Sequence, residues 1–126
     1  MLDAHREAAA PDRGVVLTKA VIRAAQRLDI HGRRLAEIIG VSEAQISRFR
    51  NGESVLIERT KPFELSALLV RVFRSLDAII GGDESVARAW LNAPNSVLGA
   101  RPIERLTSVQ GLSDVVTYLD ARRAPL

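Results

Sequence analysis

The chain has 126 residues, of which 47% are hydrophobic and 26% are charged, so it is long enough to bury one core or two small ones. It contains no cysteine, which excludes disulfides, thiolate nucleophiles and cysteine zinc sites. Its two histidines, His5 and His31, have no partner at the spacing of metal ligands. The composition therefore disfavours a hydrolytic or metal-dependent enzyme. Because the sequence also lacks a recognisable nucleophile–base pair, we expect no metal, no cofactor and no enzymatic activity.

The most apolar stretch, residues 63–80, contains Arg71, Arg74 and Asp77. A transmembrane helix needs about 20 nearly uncharged residues, so this stretch is not expected to cross a membrane. The first residues lack the apolar region of a secretion signal. We expect a cytoplasmic protein that begins with a flexible arm over residues 1–16.

The charge is uneven along the chain. The net charge is +3, and all of this excess lies in residues 1–62, because residues 63–126 carry equal numbers of acidic and basic side chains. Most of the basic residues are arginine, the side chain suited to paired hydrogen bonds with phosphate and guanine. The excess favours a nucleic-acid partner for the first half, although it is small.

Hydrophobic residues repeat at helical spacing from residue 17 onward, and no strand-like alternation appears, so the sequence predicts an all-α fold. Thr18 is the predicted N-cap of a first helix that runs to Asp29, with Leu17 and Ile22 as a hydrophobic staple. A second helix is predicted over residues 33–39. Gly40 should end it in a left-handed conformation.

The third helix has the clearest start. Ser42-Glu43-Ala44-Gln45 has the pattern of a capping box, and the helix should end at Gly52. Residues 53–60 form a predicted connector, followed by a long helix over residues 61–80. A helix capped by Asp83, one helical turn over residues 103–106 and a last helix from Leu112 to about residue 123 complete the prediction.

Residues 35–52, LAEIIGVSEAQISRFRNG, have the physical features of a helix-turn-helix. Ala36 is small where two helices would cross, Gly40 permits the turn, and polar residues lie on the outer side of the next helix. The segment resembles the helix-turn-helix of Xre/Cro-type repressors, which implies a DNA-binding domain over residues 17–60. The alternative is a two-helix corner that binds no DNA.

On this resemblance, the N-terminal part of the third helix contacts base edges and nearby arginines contact phosphates. Glu43, at the first recognition position, would face a phosphate or a cytosine rather than a guanine. The predicted DNA-binding residues are Arg33, Arg34, Ser42, Glu43, Gln45, Ser47, Arg48, Arg50 and Asn51.

Residues 90–106, WLNAPNSVLGARPIERL, predict a compact helix-loop-helix. This stretch resembles the C-terminal domain of Xre/MbcA/ParS-type antitoxins, although Ala100 stands where the family often has a second glycine and the chain ends early, at Ala124-Pro125-Leu126. The resemblance implies a long helix and toxin-binding domain over residues 61–126. The toxin contacts predicted from it are Asn95, Leu98, Gly99, Arg101, Pro102, Leu106, Val116, Leu119, Arg122 and Arg123.

Two alternatives stay open at the level of the sequence. The two terminal arginines could bind a phosphate pocket of the toxin, or they could simply favour the C-terminus of a helix. The long helix carries more apolar residues than one buried face requires, which predicts a homodimer through residues 61–80, or else a helix buried centrally in a monomer. The apolar residues concerned are Leu65, Leu68, Leu69, Val72, Phe73, Leu76, Ile79 and Ile80.

The resemblance as a whole implies an antitoxin of a type II toxin–antitoxin system. The partner that it implies is a RES-domain toxin, which consumes NAD or uses it for ADP-ribosylation, and the helix-turn-helix would repress the operon by binding operator DNA. The alternative is a stand-alone Xre-family transcriptional repressor with a C-terminal dimerisation domain. A neighbouring gene for a RES-type toxin would favour the antitoxin.

Overall fold

The computed structural model describes residues 12–123, and this part of the chain is helical, with no strand in it. The predicted all-α fold is confirmed. None of the helices in residues 12–123 is long and apolar enough to cross a membrane. In chain order the helices are α1 Arg13–Arg27, α2 Gly32–Ile39, α3 Glu43–Asn51, α4 Lys61–Ile80, α5 Glu84–Asn92, α6 Pro102–Arg105 and α7 Val109–Arg123.

Helix α1 begins earlier than predicted. Its N-cap is Asp12, whose Oδ1 accepts hydrogen bonds from the backbone N–H groups of Gly14 and Val15 at 2.8 and 3.2 Å. The prediction of Thr18 as N-cap was wrong, because Asp12 supplies the cap and Thr18 lies inside the helix. Residues 13–16 of the predicted arm therefore belong to α1, and residues 1–11 lie outside the described residues.

Thr18 instead joins α1 to the connector before α4. Its side chain is buried, and Oγ1 donates to the carbonyl oxygen of Gly14 at 2.6 Å. The same oxygen accepts from the backbone N–H of Leu56 at 2.8 Å. A buried N–H group needs such a partner, so this hydroxyl fixes the connector against α1.

The helix-turn-helix forms with the predicted boundaries, apart from one residue at the start of α2. Gly40 ends α2 with a φ angle of 77° in the left-handed region, as predicted. Ser42 caps α3, since its Oγ accepts from the backbone N–H of Gln45 at 3.0 Å. The return bond of a full capping box is absent from the hydrogen bonds of this helix, because the side-chain oxygen of Gln45 accepts from Arg48 instead.

Helix α4 has the predicted bounds and forms the centre of the fold. It contacts α1 and α2 from the first half of the chain and α5 and α7 from the second half. Most of the apolar surface that suggested a homodimer is therefore buried within one chain. Ile79 remains 40% exposed. The buried residues of α4 are Leu65, Ser66, Leu69, Val70, Val72, Ser75 and Leu76.

The C-terminal helices fold back onto α4. Asp83 caps α5 as predicted, and hydrogen bonds from the Ser85 side chain and the backbone N–H groups of Ser85 and Val86 lower the pKa of its carboxyl group. Helix α7 starts at Val109 rather than Leu112, because the Oγ of Ser108 accepts from the backbone N–H of Gly111 at 3.0 Å and supplies the missing cap.

Glycine is required where α7 passes α6. A Cβ atom at Gly111 would lie 1.9 Å from the carbonyl oxygen of Arg105, which no side chain can accommodate. Gly111 is itself buried. The close approach lets Leu112 and Leu119, both almost fully buried, pack into the core.

We predict that Thr18→Val lowers the free energy of unfolding by about 1–3 kcal/mol, because valine keeps the shape but leaves the buried N–H of Leu56 without a partner. Urea denaturation followed by circular dichroism measures the change. Thr117→Val is the matched control on the exposed side of α7 and should change stability by no more than about 0.5 kcal/mol. Equal effects of the two substitutions would contradict the role assigned to Thr18.

Candidate functional site

Helix α3 presents a polar outer face. Ile46 and Phe49 are buried and hold the helix against the rest of the fold. Gln45 is half-buried at the edge of the outer face. The other predicted DNA-binding residues of this segment are exposed, namely Ser42, Glu43, Ser47, Arg48, Arg50 and Asn51. The structure thus brings together on one surface the side chains that the sequence predicts for base contact.

Three side chains at this surface are linked by hydrogen bonds. The Nε2 of Gln45 donates to the Oγ of Ser54 at 2.7 Å. The Nε and Nη2 of Arg48 both donate to the Oε1 of Gln45, at 3.1 and 2.8 Å. Ser54 lies in the connector and was missed in the sequence, because no local pattern indicates a contact nine residues away.

Arginines flank the outer face of α3. The guanidinium group of Arg50 lies over Gly32 at the start of α2, close enough that a Cβ atom there would be 3.3 Å from Nη1. Arg33 is exposed in the first turn of the same helix. Arg34 is half-buried and pairs with Glu37, with 3.7 Å between Nε and Oε1. This arrangement suits contacts to a phosphate backbone on one side of the recognition helix.

The loop between α5 and α6 is held by Asn95. Its Oδ1 accepts from the backbone N–H groups of Val97 and Leu98 at 3.0 and 3.1 Å, and its own N–H donates to the carbonyl oxygen of Ala100 at 3.2 Å. Gly99 has a φ angle of 77°. Asn95 is therefore a residue that shapes the loop, and Val97, at 70% exposure, is the apolar side chain that the loop presents.

Arg101 and Glu104 close the start of α6. The Nη2 of Arg101 donates to Oε2 of Glu104 at 3.1 Å, and its backbone N–H donates to Oε1 at 3.3 Å. The side-chain hydrogen bond and the charge of Arg101 lower the pKa of the Glu104 carboxyl group. Both side chains are partly or fully accessible at the surface.

Four of the predicted toxin contacts are core residues. Pro102, Leu106, Val116 and Leu119 are buried, and Leu106 has no exposed surface. The helical spacing of apolar residues identified one face of the last helix, but it could not show which elements pack against that face. In the structure these elements are α4 and α6. These four residues support the surface around them and are not accessible to a partner.

An aromatic cluster, which the sequence analysis did not identify, lies beside the loop. The rings of Trp90 and Tyr118 are stacked with their centroids 6.0 Å apart, and both residues are half-buried. The guanidinium carbon of Arg122 lies 4.2 Å from the centre of the Tyr118 ring. We name Trp90, Val97, Tyr118 and Arg122 the aromatic patch.

A shallow depression of about 300 Å³ adjoins this patch. On one side it is lined by Arg105 and Asp114, whose Nη2 and Oδ2 atoms are 2.5 Å apart. Asp114 also accepts from the Nε2 of Gln110 at 2.8 Å. The other lining residues are Val97, Leu98, Thr117 and Tyr118.

The two terminal arginines have different surroundings. Arg123 donates from Nη1 to the Oγ of buried Ser75 on α4 at 3.1 Å. Ser75 donates in turn to Oδ1 of Asp120 at 3.1 Å, and Arg71 pairs with the same carboxylate. Arg123 therefore fastens the end of α7 to α4, whereas Arg122 belongs to the aromatic patch.

Among the described residues, neither surface holds a group of metal-binding side chains. Within residues 12–123, no three His, Cys, Asp or Glu side chains are grouped as ligands of a metal ion. His31 is exposed at the N-cap of α2, and its side chain makes no capping hydrogen bond. What the described residues offer are surfaces that can bind other macromolecules.

Comparison with known families gives two matches. The family described as antitoxin Xre-like helix-turn-helix domain matches residues 7–74, which is more than half of the chain. The family described as antitoxin Xre/MbcA/ParS C-terminal toxin-binding domain matches residues 75–124. The two matches meet inside α4 and contain the outer face of α3 and the aromatic patch, respectively. No curated protein is significantly similar to the chain.

Proposed function

Because the chain belongs to the Xre-like helix-turn-helix antitoxins and carries their toxin-binding domain, we propose that it is the antitoxin of a type II toxin–antitoxin system. Both family domains are those of a regulator that binds a toxin and not of an enzyme. Its partner in this proposal is a RES-domain toxin that degrades NAD or uses it for ADP-ribosylation. The antitoxin acts in the cytoplasm, where it occludes the toxin and represses its own operon.

The aromatic patch is the observation that supports toxin binding most strongly. It lies within the residues that match the toxin-binding family and combines two half-exposed rings, an arginine and an exposed valine. Aromatic residues and arginine dominate the binding energy of protein interfaces. In this proposal the toxin covers the aromatic patch, the adjoining depression and the loop residues Asn95, Leu98, Gly99 and Arg101.

Arg122 is the residue that we propose for the toxin's active site. An NAD-binding toxin has a pocket for two phosphates, and the planar fork of arginine suits such a pocket or the acidic groups around it. Tyr118 holds the guanidinium group of Arg122 at the surface by a cation–π contact. Arg123 is excluded from this role in the proposal, because it bonds to Ser75.

For toxin binding, we predict that Val97→Asp and Arg122→Glu each weaken the complex with the protein encoded by the neighbouring gene by about 30-fold or more, the usual effect at an interface hot spot. Calorimetry of the purified proteins measures affinity, and survival of cells that express both proteins measures neutralisation. Val109→Asp is the matched control, since Val109 is 58% exposed at the start of α7, outside the aromatic patch.

Point substitutions are preferable to truncations here, because removing α7 would expose the core face of α4. Wild-type affinity in both patch variants would contradict this placement of the toxin contact. Failure of the wild-type chain to bind the neighbouring protein would favour the stand-alone Xre-family repressor instead.

We also propose a homodimer through α4. An apolar groove of about 330 Å³ lies between α1 and α4, and two arginines, Arg13 and Arg74, also line it. Its apolar lining residues are Val16, Leu17, Ala20, Phe63, Ala67 and Val70. Phe63, Ala67 and Val70 are the apolar residues that α4 contributes to this groove. A two-fold dimer would present two recognition helices to the half-sites of a pseudo-palindromic operator.

For DNA binding, we predict that Arg48→Ala weakens binding to the promoter of the chain's own operon by about 1–3 kcal/mol, because one base or phosphate contact is lost. Gel-shift titration at fixed salt concentration measures the change. Arg122→Ala is the control, since Arg122 is exposed near the end of α7, in the half of the chain that does not carry the helix-turn-helix. Circular dichroism establishes that both variants retain their helices.

The same samples test the repressor and the homodimer. Equal affinity of the wild-type chain for promoter and random duplexes would contradict autoregulation. Light scattering should give a mass of about twice 13.8 kDa in the absence of DNA. A monomer mass would contradict the homodimer and leave α4 as a helix buried within one chain.

A further inference from the structure

We infer that Ser54 and Gln45 are positioning residues for Arg48, and that Arg48, held in this way, recognises a guanine in the major groove of the operator. The inference rests on the proposed DNA binding and adds to it the identity of one recognised base. It also adds a residue, Ser54, that lies outside the helix-turn-helix in the connector before α4.

The donors and acceptors of Arg48, Gln45 and Ser54 determine which way the Gln45 amide group is oriented. A guanidinium group can only donate, so the side-chain oxygen of Gln45 must face Arg48. The amide nitrogen of Gln45 then faces Ser54, whose hydroxyl oxygen accepts at 2.7 Å. The orientation of the Gln45 amide thus follows from chemistry as well as from distance, and it leaves Arg48 bound through two donors to one oxygen.

The donors that remain on Arg48 match guanine. Nε and one N–H of Nη2 are used by Gln45, which leaves the second N–H of Nη2 and both N–H bonds of Nη1. Two of these lie side by side on the end of the guanidinium group. Guanine presents two acceptors, N7 and O6, to the major groove, whereas adenine presents an acceptor and a donor. A fixed pair of donors therefore favours guanine.

Ser54, which accepts the last hydrogen bond of this series, lies in a segment that is held in place. Ser54 is half-buried and lies two residues before Leu56, which is 3% exposed and whose N–H is held by the buried hydroxyl of Thr18. The connector at Ser54 is thus tied to α1. The side chain of Arg48 is long and exposed. Without the bonds to Gln45 it would sample many rotamers in the free protein and lose that freedom on binding DNA. The bonds to Gln45 restrict that freedom in advance.

The test uses the full chain and a pool of random-sequence DNA duplexes, from which bound sequences are selected and sequenced. We expect the wild-type chain to enrich a site with guanine at one position of each half-site. Arg48→Ala should reduce the preference for guanine at that position roughly 5- to 150-fold. Ser54→Ala and Gln45→Met should reduce it at the same position by roughly 2- to 12-fold, the effect of one hydrogen bond, and leave other positions unchanged.

Two further variants make the comparison sharper. Ser54→Thr keeps the hydroxyl group and should retain the guanine preference. Ser113→Ala, at an exposed serine of α7, is the matched control and should behave as the wild-type chain does. Thermal unfolding of each variant establishes that the fold is intact.

Each of the other outcomes overturns a different statement. If Arg48→Ala weakens binding to all sequences equally, Arg48 contacts phosphate and the inference of guanine recognition is wrong. If Arg48→Ala removes the guanine preference but Ser54→Ala and Gln45→Met do not reduce it, the positioning role is wrong. If the wild-type chain enriches no sequence at all, the proposed operator binding is wrong, and the inference fails with it.

Discussion

The packing of α4 against both halves of the chain is the interaction on which the rest of the structure depends. Leu69 and Val72 have no exposed surface and Leu76 is 2% exposed, and burial of each such side chain stabilises the fold by about 1.5–3 kcal/mol. The boundary between the two family matches lies within this helix. The buried side chains of both halves form one continuous core, which the helix-turn-helix and toxin-binding regions share.

Polar contacts reinforce this shared core at its ends. The Nε of Arg88 on α5 donates to the carbonyl oxygen of Arg27 at the end of α1, at 3.0 Å, and Arg27 pairs with Glu84. At the end of α7, Asp120 accepts from Ser75 and pairs with Arg71, both on α4. These contacts join α5 to α1 and α7 to α4, so the two halves of the chain are linked by polar contacts as well as by the core.

Residue type and spacing over short stretches of sequence predicted much of this structure. The bounds of α4, the left-handed Gly40 and the caps Ser42 and Asp83 each depend on neighbouring residues, so spacing and residue type were sufficient. The predicted start of α1 was wrong, because Thr18 does not cap the helix but bonds to the backbone N–H of Leu56, 38 residues away. Tertiary contacts of this kind leave no periodic pattern in the sequence.

In the candidate sites, too, local sequence patterns predicted some features, whereas others depend on tertiary contacts. The outer face of α3 follows from helical periodicity, whereas the contact of Gln45 with Ser54 requires the path of the connector. In the C-terminal half, helical spacing placed Val116 and Leu119 on one apolar face of the last helix but did not show that α4 and α6 pack against that helix. The aromatic patch arises from Trp90 on α5 and Tyr118 on α7, which meet only in the folded chain.

Native-state hydrogen exchange on the full chain carrying Val72→Ala tests the shared core most directly. Val72 has no exposed surface, and removing its two methyl groups should cost about 1.5–3 kcal/mol. If the two halves share one core, the most protected amides of α2 and α7 will lose the same free energy of opening. A loss confined to α2, with the protection of α7 unchanged, would show that the halves unfold independently and would contradict the account.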